Sequence, residues 1–200
     1  EAYETDPAFN NQFQFLKPQT SVGVEGGVQW RLASAGAKAT VFQNDVRNEI
    51  HLDAFTNGVG NTNLQPSRRR GLELEADWQP GRTLRLAGSY TFTDAKFLDG
   101  VFPGTFGLLN NVIAGKNVPL VPRHKLNLSA TWQWRPDTRL DASVAHYSRQ
   151  YMDNDEANDF WTRIPAYTVA NLKLEHVVGR MTLALAVNNM FDEKYYSYAV

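Results

Sequence analysis

The chain has no cysteine among its 200 residues, which excludes a disulfide framework, a thiolate metal centre and a cysteine nucleophile. It also lacks an excess of charge of either sign, and a net charge of −1 sets up no field for nucleic acid or an acidic substrate. Long hydrophobic runs are absent too. The longest, residues 183–187, falls far short of the ~20 residues a transmembrane helix requires. No secretory signal opens the sequence, so the chain is expected to be cytosolic, or else mature or truncated. No segment carries the apolar period of an amphipathic helix. With a mean hydropathy of −0.43 the chain passes as soluble, but that test is blind to membrane strands, whose lipid-facing and lumen-facing residues alternate and average out.

What is present is a period of two. After residues 1–19, which read as irregular loop punctuated by Pro7 and Pro18, Val22, Val24, Val28 and Trp30 alternate with Gly23, Glu25, Gln29 and Arg31. A turn at residues 33–36 leads to a second strand, predicted over about 37–55, whose blurred alternation near 42–46 suggests a bulge. A long Asn- and Gly-rich loop at 56–66 precedes the clearest strand. There Leu72, Leu74, Ala76 and Trp78 oppose Gly71, Glu73, Glu75 and Asp77. Pro80-Gly81 turns into strand four, with Leu84, Leu86, Tyr90 and Phe92 on one side. A loop at about 96–121 follows. Strand five presents Leu126, Leu128, Ala130, Trp132 and Trp134, and strand six runs from Leu140 to about Tyr151. An acidic loop at 153–159 precedes strand seven, 166–176, and a short turn precedes strand eight. In strand eight, Leu183, Leu185 and Val187 oppose Thr182, Ala184, Ala186 and Asn188.

Short turns and long loops therefore alternate, so all the turns fall at one end of an up-and-down sheet and all the long loops at the other. Outer-membrane barrels have this asymmetry, with short periplasmic turns and longer extracellular loops. Trp30, Trp78, Trp132 and Trp134 all sit shortly before a short turn on the apolar face, as an aromatic girdle at a membrane boundary would. A soluble sandwich with tryptophans filling one end of its core is the competing reading. In a barrel the opposite face lines a lumen and carries Glu25, Glu73, Glu75, Asp77, Arg85, Lys173 and Glu175.

Two basic clusters, residues 68–70 and 123–125, stand where strands return from long loops. Parity points Arg68 and Arg70 to lipid and the phosphates of lipopolysaccharide. It points Arg69 and Arg123 into the lumen, either paired with local acids or attracting an anionic ligand. Phe102, Phe106, Tyr151, Phe160 and Trp161 lie in or beside long loops, where they either touch a ligand or form an outer girdle. The candidate ligand-binding set is Arg69, Arg123, Tyr151, Phe160 and Trp161. The acidic loop offers oxygens for calcium but lacks the loop glycine and the closing bidentate glutamate, so a solvated loop is the plainer reading. His51 and His146 are the candidates for haem ligation. No nucleophile elbow, phosphate loop or zinc spacing is present, so no catalytic residue, resident metal or cofactor is expected.

Several stretches resemble the TonB-dependent outer-membrane receptors. They are Leu16-Lys17-Pro18-Gln19-Thr20-Ser21 with Glu25-Gly26-Gly27, Ser67-Arg68-Arg69-Arg70-Gly71-Leu72-Glu73-Leu74-Glu75, and the proline-bracketed residues 115–125. Ala166-Tyr167-Thr168-Val169-Ala170-Asn171 and Val187-Asn188-Asn189-Met190-Phe191-Asp192-Glu193-Lys194-Tyr195-Tyr196 complete the set. The resemblance implies an all-β fold, an antiparallel up-and-down transmembrane barrel of about 22 strands plugged by an N-terminal domain. This chain would supply about eight of those strands over residues 20–200, with 1–19 as extracellular loop and the plug and final strand absent. It further implies an outer-membrane receptor for TonB-energised uptake of a ferric siderophore, coupled to the TonB complex through the missing region and surrounded by lipid and lipopolysaccharide. The alternatives are a receptor for haem or cobalamin, a complete eight-stranded barrel with a structural or adhesion role, and a barrel hydrolase. A segment cut from a larger barrel is also expected to expose unpaired edges on its first and eighth strands.

Overall fold

The computed structural model of the chain describes residues 2–6, 12–52, 61–103 and 110–200. Fourteen strands are present among them and no helix. Eight long strands make one antiparallel sheet: β3 (Thr20–Arg31), β4 (Ala35–Arg47), β7 (Ser67–Trp78), β8 (Leu84–Phe97), β11 (His124–Arg135), β12 (Thr138–Tyr147), β13 (Tyr167–Val178) and β14 (Met181–Val187). Their spatial order, β14-β13-β12-β11-β8-β7-β4-β3, follows the chain order, so every strand pairs with its sequence neighbour. Pairs β3–β4, β7–β8, β11–β12 and β13–β14 are joined by the short connections 32–34, 79–83, 136–137 and 179–180. Gly179, at φ +64, takes a left-handed conformation that a side chain would resist. The long connections 48–66, 98–123 and 148–166 all leave from the opposite end. Two of them carry small hairpins, β5 (Ile50–Leu52) with β6 (Asn61–Asn63), and β9 (Val101–Pro103) with β10 (Asn110–Val112).

Register converts the sequence alternation into two faces. Val28, Ala39, Leu74, Tyr90, Leu126, His146 and Thr168 stand in one cross-strand row. The next row is Trp30, Ala37, Ala76, Gly88, Leu128, Val144 and Ala170. These side chains are not a protein core. Val22 is 78% exposed and Val28 74%, and Leu183 and Leu185 are similarly bare. An apolar face this wide has its natural solvent in hydrocarbon. Trp30, Trp78, Trp132 and Trp134 lie on it near the short turns, half exposed, with the last two rings stacked at 6.0 Å. The other face is polar and charge-matched. Lys38 pairs with Glu75 at 3.5 Å, Arg139 with Asp141 at 2.8 Å and Lys173 with Glu175 at 2.7 Å.

The buried apolar core lies at the long-loop end. Leu64, Ala95, Phe97, Phe102, Ile113 and Val118 cluster there, with Phe97 and Ile113 almost wholly enclosed. They are drawn from β8 and from loops folded back onto its outer end, where Val118 N–H donates to Ala95 O and Phe97 N–H to Lys116 O. Hydrophobic burial therefore orders the loops, while backbone pairing orders the wall.

Several expectations are corrected. Residues 1–19 are not wholly irregular, since β1 (Ala2–Asp6) pairs with β2 (Gln12–Leu16), and the alternation of Gln12-Phe13-Gln14-Phe15 supplies the strand signal. The second strand stops at Arg47 rather than near residue 55, because Asn48 turns left-handed at φ 54. Residues 53–55 of that expected strand, and 56–60 of the loop after it, lie outside the described residues. No bulge occurs at 42–46. The register of β4 is unbroken against both neighbours, and the long sheet shifts instead between Gln133 and Arg135, beside a short turn. Strand six ends at Tyr147, and Gln150 makes only an isolated bridge to Ile164. Strands β7 and β8 keep the expected loop borders, and at their outer ends Arg68 lies opposite Asp45 and Arg70 opposite Asp94, opposite charges that support the ladder. The sheet does not close on itself as a complete eight-stranded barrel would. Its order ends at β3 on one side and β14 on the other, so both expected edges are present.

One position tests the tightness of the wall. A methyl group on Gly71 would meet the carbonyl oxygen of Phe92 and the ring of Phe42, whereas one on Gly26 would meet nothing within 4 Å. Gly71→Ala is expected to destabilise the assembled barrel by roughly 1–3 kcal/mol, the usual cost of overpacking, and Gly26→Ala to leave it unchanged. The temperature at which the barrel loses its compact mobility on a denaturing gel measures this. Equal behaviour of the two variants would refute it.

Candidate functional site

The long-loop end is organised around residues 153–159. This acidic loop, expected to be solvated, is buried over residues 153–157. Asp155 is 1% exposed and Glu156 0%. The loop first satisfies its own backbone. Asp155 Oδ1 accepts the N–H groups of Asp159 at 2.8 Å and Phe160 at 3.2 Å, and Asn154 and Asn158 adopt positive φ. Other segments are then tied to it. Asn117 N–H donates to Asn158 Oδ1 at 2.6 Å, Asn158 Nδ2 returns a bond to Asn117 O at 2.9 Å, and Asn111 Nδ2 donates to Asp159 Oδ2 at 3.2 Å. Tyr198 Oη donates to Asp153 Oδ2 at 2.8 Å. His51, from β5, stands 3.1 Å from Glu156 and 3.6 Å from Asp153. The loop thereby joins the β5–β6 hairpin, the segment after β10 and the chain following β14. Among the described residues no group of three or more His, Asp or Glu is arranged to hold a metal, so the calcium reading finds no geometric support.

The sequence-derived candidates separate. Arg69 is held by Glu49 at 2.6 Å and donates to Ser67 Oγ at 3.3 Å, which takes the local-acid branch of its two expected roles. Arg68 makes a two-pronged bond to Asp45, both contacts 2.7 Å. Arg123 was expected to point into the lumen by parity. Its guanidinium instead lies 5.4 Å from the Phe92 ring centroid and 3.5 Å from Asp94, both on the apolar face, because Arg123 precedes β11 and is not bound by that strand's alternation. Tyr151 lies beneath the Arg163 guanidinium at 4.0 Å. Phe160 is half-buried against the acidic loop, Trp161 is fully exposed, Phe102 belongs to the buried core, and Phe106 lies outside the described residues. His51 is enclosed among carboxylates, and His146 bonds Thr168 in a row of the apolar face, so the two do not form a ligand pair.

Arg123 and Tyr151 are nevertheless brought together. With Arg149, Gln150, Arg163, Thr93 and neighbouring residues they line a cleft of about 480 Å³ between the outer ends of β8, β11 and β12. Among the described residues no carboxylate lines it. Arg149, Gln150 and Arg163 were missed by sequence reasoning. The available signal was two arginines flanking an aromatic-rich loop that has no basic residue between them, Tyr147-Ser148-Arg149-Gln150-Tyr151 and Trp161-Thr162-Arg163.

Burial pushes the Asp155 carboxyl above the ordinary carboxylate range, against the lowering effect of the Phe160 and Asp159 N–H groups. The folded loop thus binds this proton more tightly than the unfolded loop does. The associated stability is complete below the unfolded value and is lost as pH rises through the folded one. Local opening of residues 155–160, from hydrogen exchange corrected for intrinsic rates, should become easier with rising pH. Asp155→Asn keeps an Oδ1 acceptor for both N–H groups and should flatten that dependence; an unchanged slope in the variant would count against it.

A family model described as TonB dependent receptor-like, beta-barrel matches residues 2–190. The metal-pseudopaline receptor of Pseudomonas aeruginosa is 26% identical over 184 residues, covering 90% of this chain and 24% of that protein. The ferrioxamine receptor of Yersinia enterocolitica is 29% identical over 198 residues, covering 92% of this chain and 25% of that protein. The solved ferric yersiniabactin uptake receptor of Yersinia pestis superposes with a TM-score of 0.75 at 20% identity, over 98% of this chain and 28% of its own. The chain therefore spans about a quarter of the length of these proteins.

Proposed function

We propose that this chain, which belongs to the TonB-dependent receptor family, supplies barrel wall and extracellular capture loops to a receptor that imports a ferric siderophore. The family is one of transport receptors rather than enzymes, and its β-barrels reside in the outer membrane. The observation that carries the reading is the polarity of the sheet. One face is apolar and uncovered, the other polar and charge-matched, four of the five tryptophans gather at the short-turn end, and the buried loop cluster with its cationic cleft stands at the other. Chemically this is a wall that separates lipid from an aqueous lumen and presents preorganised donors at its mouth.

In this reading the tryptophan band marks the periplasmic membrane boundary and the loop end faces the medium. Arg68 and Arg70 lie just beyond the apolar rows on the outward face, where lipopolysaccharide phosphates would meet them beside their Asp45 and Asp94 partners. Arg123 and Tyr151 line the capture cleft, Phe160 and Trp161 belong to the loop that leads to Arg163, and Arg69 braces the neighbouring loop through Glu49. Energy coupling belongs to a plug and the TonB complex, beyond this chain. The relatives named for ferrioxamine, ferrienterobactin and metal-pseudopaline favour a ferric chelate. Against haem, His51 is occupied by acids and His146 faces outward.

Deletion of the gene is expected to abolish growth on one class of ferric chelate while leaving use of haem and cobalamin unchanged. Growth assays of the deletion strain on a panel of iron sources check this, and unchanged uptake of every source would overturn the siderophore reading.

A further inference from the structure

We propose that the cleft beside Tyr151 selects ferric chelates of net negative charge, with Arg149 and Arg163 as the residues that determine this specificity. The inference rests on the receptor reading above and adds the charge class of the ligand.

The charge balance of the loop end carries it. Arg68, Arg69, Arg70 and Arg123 each have a carboxylate within ion-pair distance, at 2.7, 2.6, 3.2 and 3.5 Å. Among the described residues, Arg149 and Arg163 have none. Both are exposed, both line the cleft, and no carboxylate lines it with them. Asp155 feels the Arg163 charge without forming an ion pair with it. Two guanidinium groups in a concave, partly apolar site focus positive potential into it.

The groups are also held in place. Ser148 N–H donates to His124 O at 2.9 Å, Gln150 N–H to Ile164 O at 3.1 Å, and Leu120 N–H to Tyr151 O at 3.1 Å. The backbone on either side of Arg149 is thus pinned. Gln150 is 7% exposed, its Nε2 donates to Ser197 O at 3.1 Å, and its buried Oε1 has no partner. The Arg163 guanidinium sits over the Tyr151 ring at 4.0 Å, a cation–π contact that restricts its rotamers before any ligand arrives. A guanidinium fork matches the paired oxygens of carboxylates and catecholates. A neutral chelate entering the same cleft would desolvate both cations without returning a charge, which makes the cleft selective as well as attractive.

The test uses the full-length receptor in detergent, titrated by tryptophan fluorescence with an anionic ferric tricatecholate and a neutral ferric trihydroxamate. The wild type should bind the tricatecholate more tightly, with a Kd that rises with salt. R149Q and R163Q should each weaken that chelate about tenfold, the size expected for loss of one charge-assisted contact. R149K and R163K should restore part of the loss and the salt slope, and trihydroxamate binding should not weaken with any of these changes. A preference for the trihydroxamate, a salt-independent Kd, or equal weakening of both chelates would overturn the inference while leaving the receptor reading intact. Binding of neither chelate by the wild type would count against both. The wild-type salt dependence decides the matter even where a variant fails to fold.

Discussion

The wall depends on one constraint. A strand crossing hydrocarbon must satisfy every backbone N–H and C=O through its neighbours, because lipid offers no partner. Here that requirement appears as registers that run unbroken across β3, β4, β7, β8, β11 and most of β12 and β13, with the shift at Gln133 and Arg135 confined to a turn end. Since the side-chain period is two, an unbroken register also assigns each residue a face. The apolar rows and the charge-matched polar rows are thus consequences of the same hydrogen-bond ladder.

A sheet solvated on both sides has no use for an interior, and this displaces the ordinary hydrophobic core. Phe97, Ile113, Val118 and Phe102 bury themselves above the wall and pull the segments 98–103 and 110–123 down onto the end of β8. Polar groups then finish the loops. The acidic turn at 153–159 is enclosed only because its carboxylates and amides meet backbone N–H groups, asparagine side chains, Tyr198 and His51. Several arginines at this end neutralise a nearby acid, whereas Arg149 and Arg163 line the cleft with no ion pair among the described residues.

The wall was largely legible before the fold was known. Leu72, Leu74, Ala76 and Trp78 announce their face by alternation alone, and the four tryptophans mark one end because indole seeks a boundary. The misses share a cause. Alternation does not show the charge pairs that support a ladder, such as Arg70 with Asp94, which meet only once β7 and β8 stand side by side. Nor can it tell a real bulge near 42–46 from a strand whose lumen side simply admits Phe42 and Val46. The acidic loop read as solvated because its partners, His51, Asn117 and Tyr198, are 41 to 103 residues away in sequence.

By itself the sequence determined the strand period, the short-turn and long-loop ends and the side of the wall that meets lipid, because each is a local property repeated every second residue or every turn. Only the tertiary structure decided which arginines are spent on acids and which remain free, that the acidic loop is buried, and that Arg149, Arg163 and Tyr151 share one cleft. Those are juxtapositions of distant segments. They follow from register and loop packing, which no local pattern encodes.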